Sequence, residues 1–289
     1  MDVFKTRPFI MESIPISEIN FTNAVKKDPR YYGKSKDGER KFFAVCPICD
    51  NPIQLIGLYK ETKYIKHGRH HKGDVKYLAA YDEDAYMSCP YHNANKEIDS
   101  IKRKNMDTVN AIYRLLKKQF DRIIYIWNIT TGIRISYAFA EEVLRNYVND
   151  EGYMYLGSTY YNLSYMIMYA QEAVPLLGRA IKKESEVYRA LLELDEKVYF
   201  EDGENGYAWL RSKNKEFINL TWYIHKHTNK VVDEHLKESF ELVIKEDNEI
   251  IFTQEIVVDH HLLKRLMDMP EEKQFRNKKL LDIAERILK

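Results

Sequence analysis

The stretch Cys46-Pro47-Ile48-Cys49, followed forty residues later by Cys89-Pro90-Tyr91-His92, decides how the front of this chain is read. The 289 residues contain three cysteines, and all three fall in these two short pairs. Proline follows the first cysteine of each pair and, by fixing φ, stiffens a tight turn. Two thiolates at this spacing can both sit ~2.3 Å from one zinc ion, and a second short pair completes a tetrahedral shell of sulfur and nitrogen. The expected ligands are Cys46, Cys49, Cys89 and His92. His92 has the best spacing for the fourth position, and His67 or His70 in the intervening loop could also close the site. Four protein ligands leave no open position for water, so the expected Zn²⁺ is structural. Its binding energy would hold a loop, residues 50–88, that has few obvious core contacts of its own.

An odd cysteine count argues against a disulfide framework, and no βαβ pattern surrounds Cys46 to suggest a redox pair. The N-terminus has no basic start followed by an apolar block. The longest uncharged run, Gly152 to Gln171, holds six tyrosines and several hydroxyl and amide side chains. It is too polar for a spanning helix and reads as buried core; as an exposed patch it would mark an oligomer or partner interface. The expectation is a cytoplasmic protein with no membrane partner.

Lys and Arg number 45 against 44 Asp and Glu, a net charge of +1 that excludes a polyanion-coating protein of the histone kind. The balance hides a division. Residues 26–122 carry a net +8 and residues 123–289 a net −6. Within the basic front, Lys34, Lys36, Arg40, Lys63, Lys66, Arg69, Lys72, Lys102 and Arg103 are candidate phosphate contacts, with Tyr31, Tyr32, Tyr59 and Tyr64 interleaved as stacking platforms.

The expected organisation is an irregular basic segment over 1–41, a zinc-binding module with its following helix over 42–122, and an α+β domain over 123–289. Asp99 to Phe120 reads as an amphipathic helix. The apolar run Ile123–Trp127 reads as a buried strand, turned back at Thr130-Thr131-Gly132 into Ile133–Ile135. Ser136 can cap a helix whose face is Ala140, Val143, Leu144, Tyr147 and Val148, and another helix is expected from about Gly178 to Glu196. After that the apolar period becomes two, as at Leu220, Trp222 and Ile224, and predicts an antiparallel meander before a last helix through Leu280 and Ala284. The fold class is α+β. His225, His227, His260 and His261 read as exposed histidines of this sheet, with a second metal site there as the lesser reading.

The order Cys46-x-x-Cys49, His70-His71, Cys89-x-x-His92-Asn93 with Lys96 resembles zinc-containing His-Asn-His endonucleases, over about fifty residues. The resemblance implies a structural zinc around a ββα element. It also implies a general base at His70 or His71, and a catalytic Mg²⁺ or Mn²⁺ near Asn93. The sequence departs from that pattern at Arg69, where the family has an acidic residue, and in lacking an Asn between Lys72 and Ser88. No phosphate-binding glycine loop, nucleophile elbow or metalloprotease motif occurs. The leading expectation is therefore a zinc-stabilised, non-enzymatic protein whose basic module contacts nucleic acid or a nucleic-acid-handling protein. A His-Asn-His nuclease is the enzymatic alternative, and a protein-interaction factor or inhibitor from a mobile element is a third.

Overall fold

A computed structural model of the chain describes residues 1–59, 65–93, 101–213, 217–274 and 276–289, and divides it into two compact units. Met1–Ala111, Met154–Tyr160 and Asn229–Lys237 form the first; Ile112–Tyr153, Tyr161–Thr228 and Glu238–Lys289 form the second.

The first unit is built on an antiparallel sheet. The expected irregular segment 1–41 carries regular structure instead, because its apolar residues are spaced to bury. Strand β1 (Val3–Phe4) pairs with β2 (Ile14–Pro15), and α1 (Glu18–Val25) follows. Ser17 caps α1 by accepting the Asn20 N–H at 3.1 Å, and Phe21 and Val25, one turn apart, face the core. Strands β3 (Tyr32–Lys34), β4 (Arg40–Val45), β5 (Pro52–Ile56) and β6 (His67–His70) then pair in that order, all antiparallel. Their inner face packs Ala44, Ile53 and Leu55 against Phe4, Phe21 and Tyr31. Gly68 in β6 is required by a close approach, since a Cβ there would sit 2.8 Å from Met1 Cγ and 2.9 Å from Ile53 Cδ1. A short helix α2 (Glu83–Met87), capped by Asp82, completes this region.

The second unit departs from the sequence reading at one informative place. Helix α3 runs from Met106 to Thr131, so Ile123–Trp127 is helix and not strand. Ile123, Ile124, Ile126 and Trp127 are all buried and only Tyr125 meets solvent, so this short run is apolar at every position and carries no periodicity to separate strand from helix. The hairpin turn expected at Thr130-Thr131-Gly132 is the end of this helix. Gly132 takes φ +72°, the left-handed geometry of a helix C-terminus, and Thr131 Oγ1 donates to the Trp127 carbonyl at 2.9 Å. The expected start of the preceding helix, Asp99 and Ser100, lies outside the described residues.

Helix α4 (Tyr137–Asn149) forms as its pattern predicts, with Ser136 accepting the Phe139 N–H at 3.3 Å and Ala140, Val143, Leu144 and Tyr147 buried. The uncharged Tyr/Met segment becomes core, including α5 (Leu163–Tyr169). Strand β7 (Val174–Pro175) follows it. The long helix expected over 178–196 is instead β8 (Ala180–Lys182) and a shorter α6 (Glu186–Leu192), started by the Ser185 cap. Strands β9 (Val198–Asp202) and β10 (Tyr207–Ser212) pair antiparallel, in a sheet of order β8-β10-β9. The meander is β11 (Leu220–Val232), β12 (His235–Glu246) and β13 (Glu249–Val257), in a sheet of order β13-β12-β11-β7. Helices α7 (Leu262–Met267) and α8 (Lys278–Ile287) close the chain, the latter burying Leu280, Ile283 and Ala284. The class is α+β. Among the described residues no helix is long and apolar enough to cross a membrane.

Candidate metal centre

Strand β4 ends at Val45 and β5 begins at Pro52, so Cys46 to Asn51 form the connecting knuckle. The Cys46 N–H donates to the Asn51 carbonyl at 2.8 Å, and Asp50 turns the chain with φ +59°. Asp50 is buried and ion-paired to Lys5, itself fully buried beside the knuckle, where Lys5 and Val45 exchange backbone hydrogen bonds of 2.9 and 3.0 Å. Strand β6 supplies the next group. Its register sets His70 opposite Ile53, beside the return strand of the knuckle. Helix α2 delivers Cys89, whose N–H donates to the Tyr86 carbonyl at 3.1 Å.

These elements bring Cys46, Cys49, Cys89 and His70 together, with one ligand atom from each lying within 4.8 Å of all the others. Cys46 Sγ and Cys89 Sγ are 3.8 Å apart, and Cys49 Sγ is 3.3 Å from His70 Nε2. No disulfide joins the three cysteines, since a bonded pair would stand at about 2.05 Å. A tetrahedral zinc with ~2.3 Å Zn–S and ~2.05 Å Zn–N bonds has S···S edges of about 3.8 Å and S···N edges of about 3.6 Å. The donor set therefore fits a divalent ion of the zinc type in both chemistry and spacing.

The electrostatics agree. Burial works against the Cys46 thiolate, but hydrogen bonds from Cys49 and Cys89 and the nearby His70 outweigh it and hold that thiol well below its ordinary range. Burial, and then the neighbouring Cys46, push the Cys49 and Cys89 thiols well above it. Crowding the three sulfurs in a buried place thus works against further thiolates, whereas a bound divalent cation deprotonates coordinating thiols outright. The cleft beside Cys49 and Cys89 measures about 20 Å³, room for a single water. That suits a closed structural site better than one that admits a substrate.

His70, not the better-spaced His92, occupies the fourth position. The turn after Cys89 closes with the His92 N–H on the Cys89 carbonyl at 2.8 Å, and the His92 ring stacks on Tyr86 at 3.9 Å, outside the cluster. His67 and His70 are three apart on one strand and fall on opposite faces, so His67 also stays out. Asn51 escaped the sequence reading because no ligand spacing singles it out. Fully buried, it donates to Cys49 Sγ at 3.3 Å and to the Asp82 carbonyl at 3.0 Å, and accepts the Asp82 N–H at 2.7 Å. It fastens the first knuckle to the segment that carries Cys89, as outer-shell groups of metal sites do.

His71 is half-buried, with its ring 5.2 Å from that of Phe43, and Asn93 is exposed. Lys34, Lys36, Arg40, Arg69, Lys72 and Lys102 are exposed, and Lys72 Nζ lies 5.0 Å over the Tyr86 ring. Lys66 pairs with Glu18 at 2.8 Å. Arg103 is only 8% exposed, and its guanidinium donates to the carbonyls of Tyr155 and Leu156 at 2.7 and 2.9 Å. The expectation that it meets a phosphate is corrected: its donors are used inside the unit. Lys60, Lys63, Tyr64 and Lys96 lie outside the described residues.

The sheet histidines of the second unit are also corrected in part. His227 and His260 are largely buried and share the carboxylate of Glu238, at 2.6 and 2.7 Å, and Asn162 donates to it at 2.7 Å. Alternation from Leu220, Trp222 and Ile224 predicts exposure for His227, but the backbone takes φ +57° at Lys226, and beyond that break in the alternation His227 meets the Glu238 carboxylate of strand β12. Comparison of the chain with models of protein families, with curated proteins and with solved structures finds no match.

Proposed function

We propose that this protein holds a structural zinc ion on Cys46, Cys49, His70 and Cys89, and that the unit so stabilised binds nucleic acid. The observation that carries the reading is the cluster itself, set at one end of a sheet whose other strands and turns bear Lys34, Lys36, Arg40 and Arg69 in solvent. A closed four-ligand site contributes folding energy and leaves no coordination position for chemistry. Exposed cations on the sheet it fixes would neutralise phosphates. Binding is favoured over cleavage because His70 turns its Nε2 toward Cys49, and a ligand nitrogen cannot also be a general base.

The test is fluorescence anisotropy of the zinc-loaded protein with labelled DNA and RNA, single-stranded and duplex, across a salt series. The expected result is binding whose affinity falls linearly in log–log form with salt. Absence of binding to every nucleic acid overturns the nucleic-acid half of the reading. Mg²⁺-dependent cutting lost in His71→Ala would replace it with the nuclease alternative.

A further inference from the structure

We propose that a groove on the first unit, away from the metal cluster, takes single-stranded nucleic acid, with bases against Phe42 and Tyr59 and phosphates on Lys27 and Arg40; this rests on the nucleic-acid reading above. The groove is open and measures about 1320 Å³. That exceeds the ~300–1,000 Å³ usual for pockets that enclose a small ligand, so a segment of a polymer fits it better than a metabolite.

Its lining joins two chemistries. Tyr32, Phe42 and Tyr59 form a rank of rings, with centroids 5.9 Å apart between Tyr32 and Phe42 and 4.8 Å between Phe42 and Tyr59. Tyr59 is 43% exposed, yet its hydroxyl is tied to Thr22 Oγ1 at 2.8 Å. A large ring is thereby presented to solvent in one fixed place, and little ordering remains to be done when a flat partner stacks on it. Around the rings stand Lys27 and Arg40, the latter on the same face of β4 as Phe42, with Glu39 as the only carboxylate in the described lining.

This combination selects an occupant. A polyanion alone would need the cations but not the rings, and an apolar peptide the rings but not the cations. A single strand offers phosphates and free base faces together, and base–aromatic stacking tolerates any sequence. In a duplex the base faces are covered by their neighbours, so the rings would gain nothing. The sheet also explains why metal and groove belong to one unit. Strands β4, β5 and β6 carry the cluster at the Val45, Pro52 and His70 ends and the groove at the Arg40, Ile56 and His67 ends. A metal that fixes one end holds the register of the other.

The experiment measures anisotropy of the full-length, zinc-loaded protein with a homopyrimidine strand of about 15 nucleotides, the upper end of known single-strand site sizes, and with a duplex of the same length. Wild type is expected to favour the single strand. Tyr59→Ala is expected to weaken that binding by about 5- to 150-fold, the loss of one stacked base. Tyr59→Phe, which keeps the ring and drops the Thr22 bond, is expected to retain most of it. Arg40→Ala should lower the magnitude of the salt slope by about 0.7, the release of one phosphate contact. Circular dichroism and zinc content check that each variant is folded. If the protein binds nucleic acid but prefers duplex, or Tyr59→Ala binds as wild type does, the groove proposal fails while the broader reading stands. If no nucleic acid binds, single-stranded or duplex, both fail.

Discussion

Replacing Glu238 with glutamine tests the electrostatic account of the second unit most severely. The Glu238 carboxylate is 4% exposed and accepts from His227, His260 and Asn162. Burial alone would raise its pKa, but the hydrogen bonds from the two imidazoles and their charge overcome that and hold it at about 2, against its ordinary 4.5. The difference is worth about 3 kcal/mol at neutral pH. The carboxyl binds its proton more weakly in the folded chain than in the unfolded one, so unfolding takes up a proton in acid. This contribution is complete above about pH 4.5 and is lost as the pH falls toward about 2. Glu238→Gln keeps the shape but turns an amide N–H₂ toward one imidazole, leaving a buried donor facing a donor. Trp127 and Trp222 report on this unit, being buried with ring centroids 6.0 Å apart. Urea unfolding followed by their fluorescence should show the variant less stable by about 3 kcal/mol at pH 7. It should also lack the part of the acid-induced loss that wild type shows between pH 4.5 and 2. A variant with wild-type stability at pH 7, or the same acid slope, refutes the argument.

Three further outcomes follow from named contacts. Lys5→Met strands the Asp50 carboxylate in the core beside the first knuckle and should cost about 3–5 kcal/mol, measured by denaturant titration, whereas changing both partners to apolar or amide groups should cost far less. Gly68→Ala pushes a methyl against Met1 and Ile53 and should destabilise the first unit by about 1–3 kcal/mol, read as a lowered thermal midpoint. Removing the metal with a chelator should unfold the first unit and abolish any nucleic-acid affinity together, with circular dichroism and anisotropy changing over the same chelator range.

Much of the fold was legible in the chain itself, wherever one face of an element is buried and the other wet. Ala140, Val143, Leu144 and Tyr147 mark a helix face, and Leu220, Trp222 and Ile224 mark a strand face, because the residues between them meet solvent or a different layer. Ile123 to Trp127 misled for the opposite reason, since burial on nearly all sides erases the period that tells 3.6 from 2. The three cysteines of the metal site were readable from spacing, which constrains two ligands within one turn. The fourth ligand was not, because His70 arrives through strand pairing with β5, and its register with Ile53 is a long-range fact. Arg103 and His227 show the same limit. Whether a polar side chain points to water depends on which carbonyl or carboxylate another part of the chain places beside it, at Tyr155 and Leu156 in one case and Glu238 in the other.

Cys46, Cys49, Cys89 and His70 are proposed to hold one metal ion. Mass-spectrometric metal analysis of purified wild type, His70→Ala and His92→Ala tests it directly. One zinc per chain is expected in wild type and in His92→Ala, with loss or marked weakening of zinc binding in His70→Ala. Zinc retained in His70→Ala but lost in His92→Ala, or no metal in wild type, would contradict it.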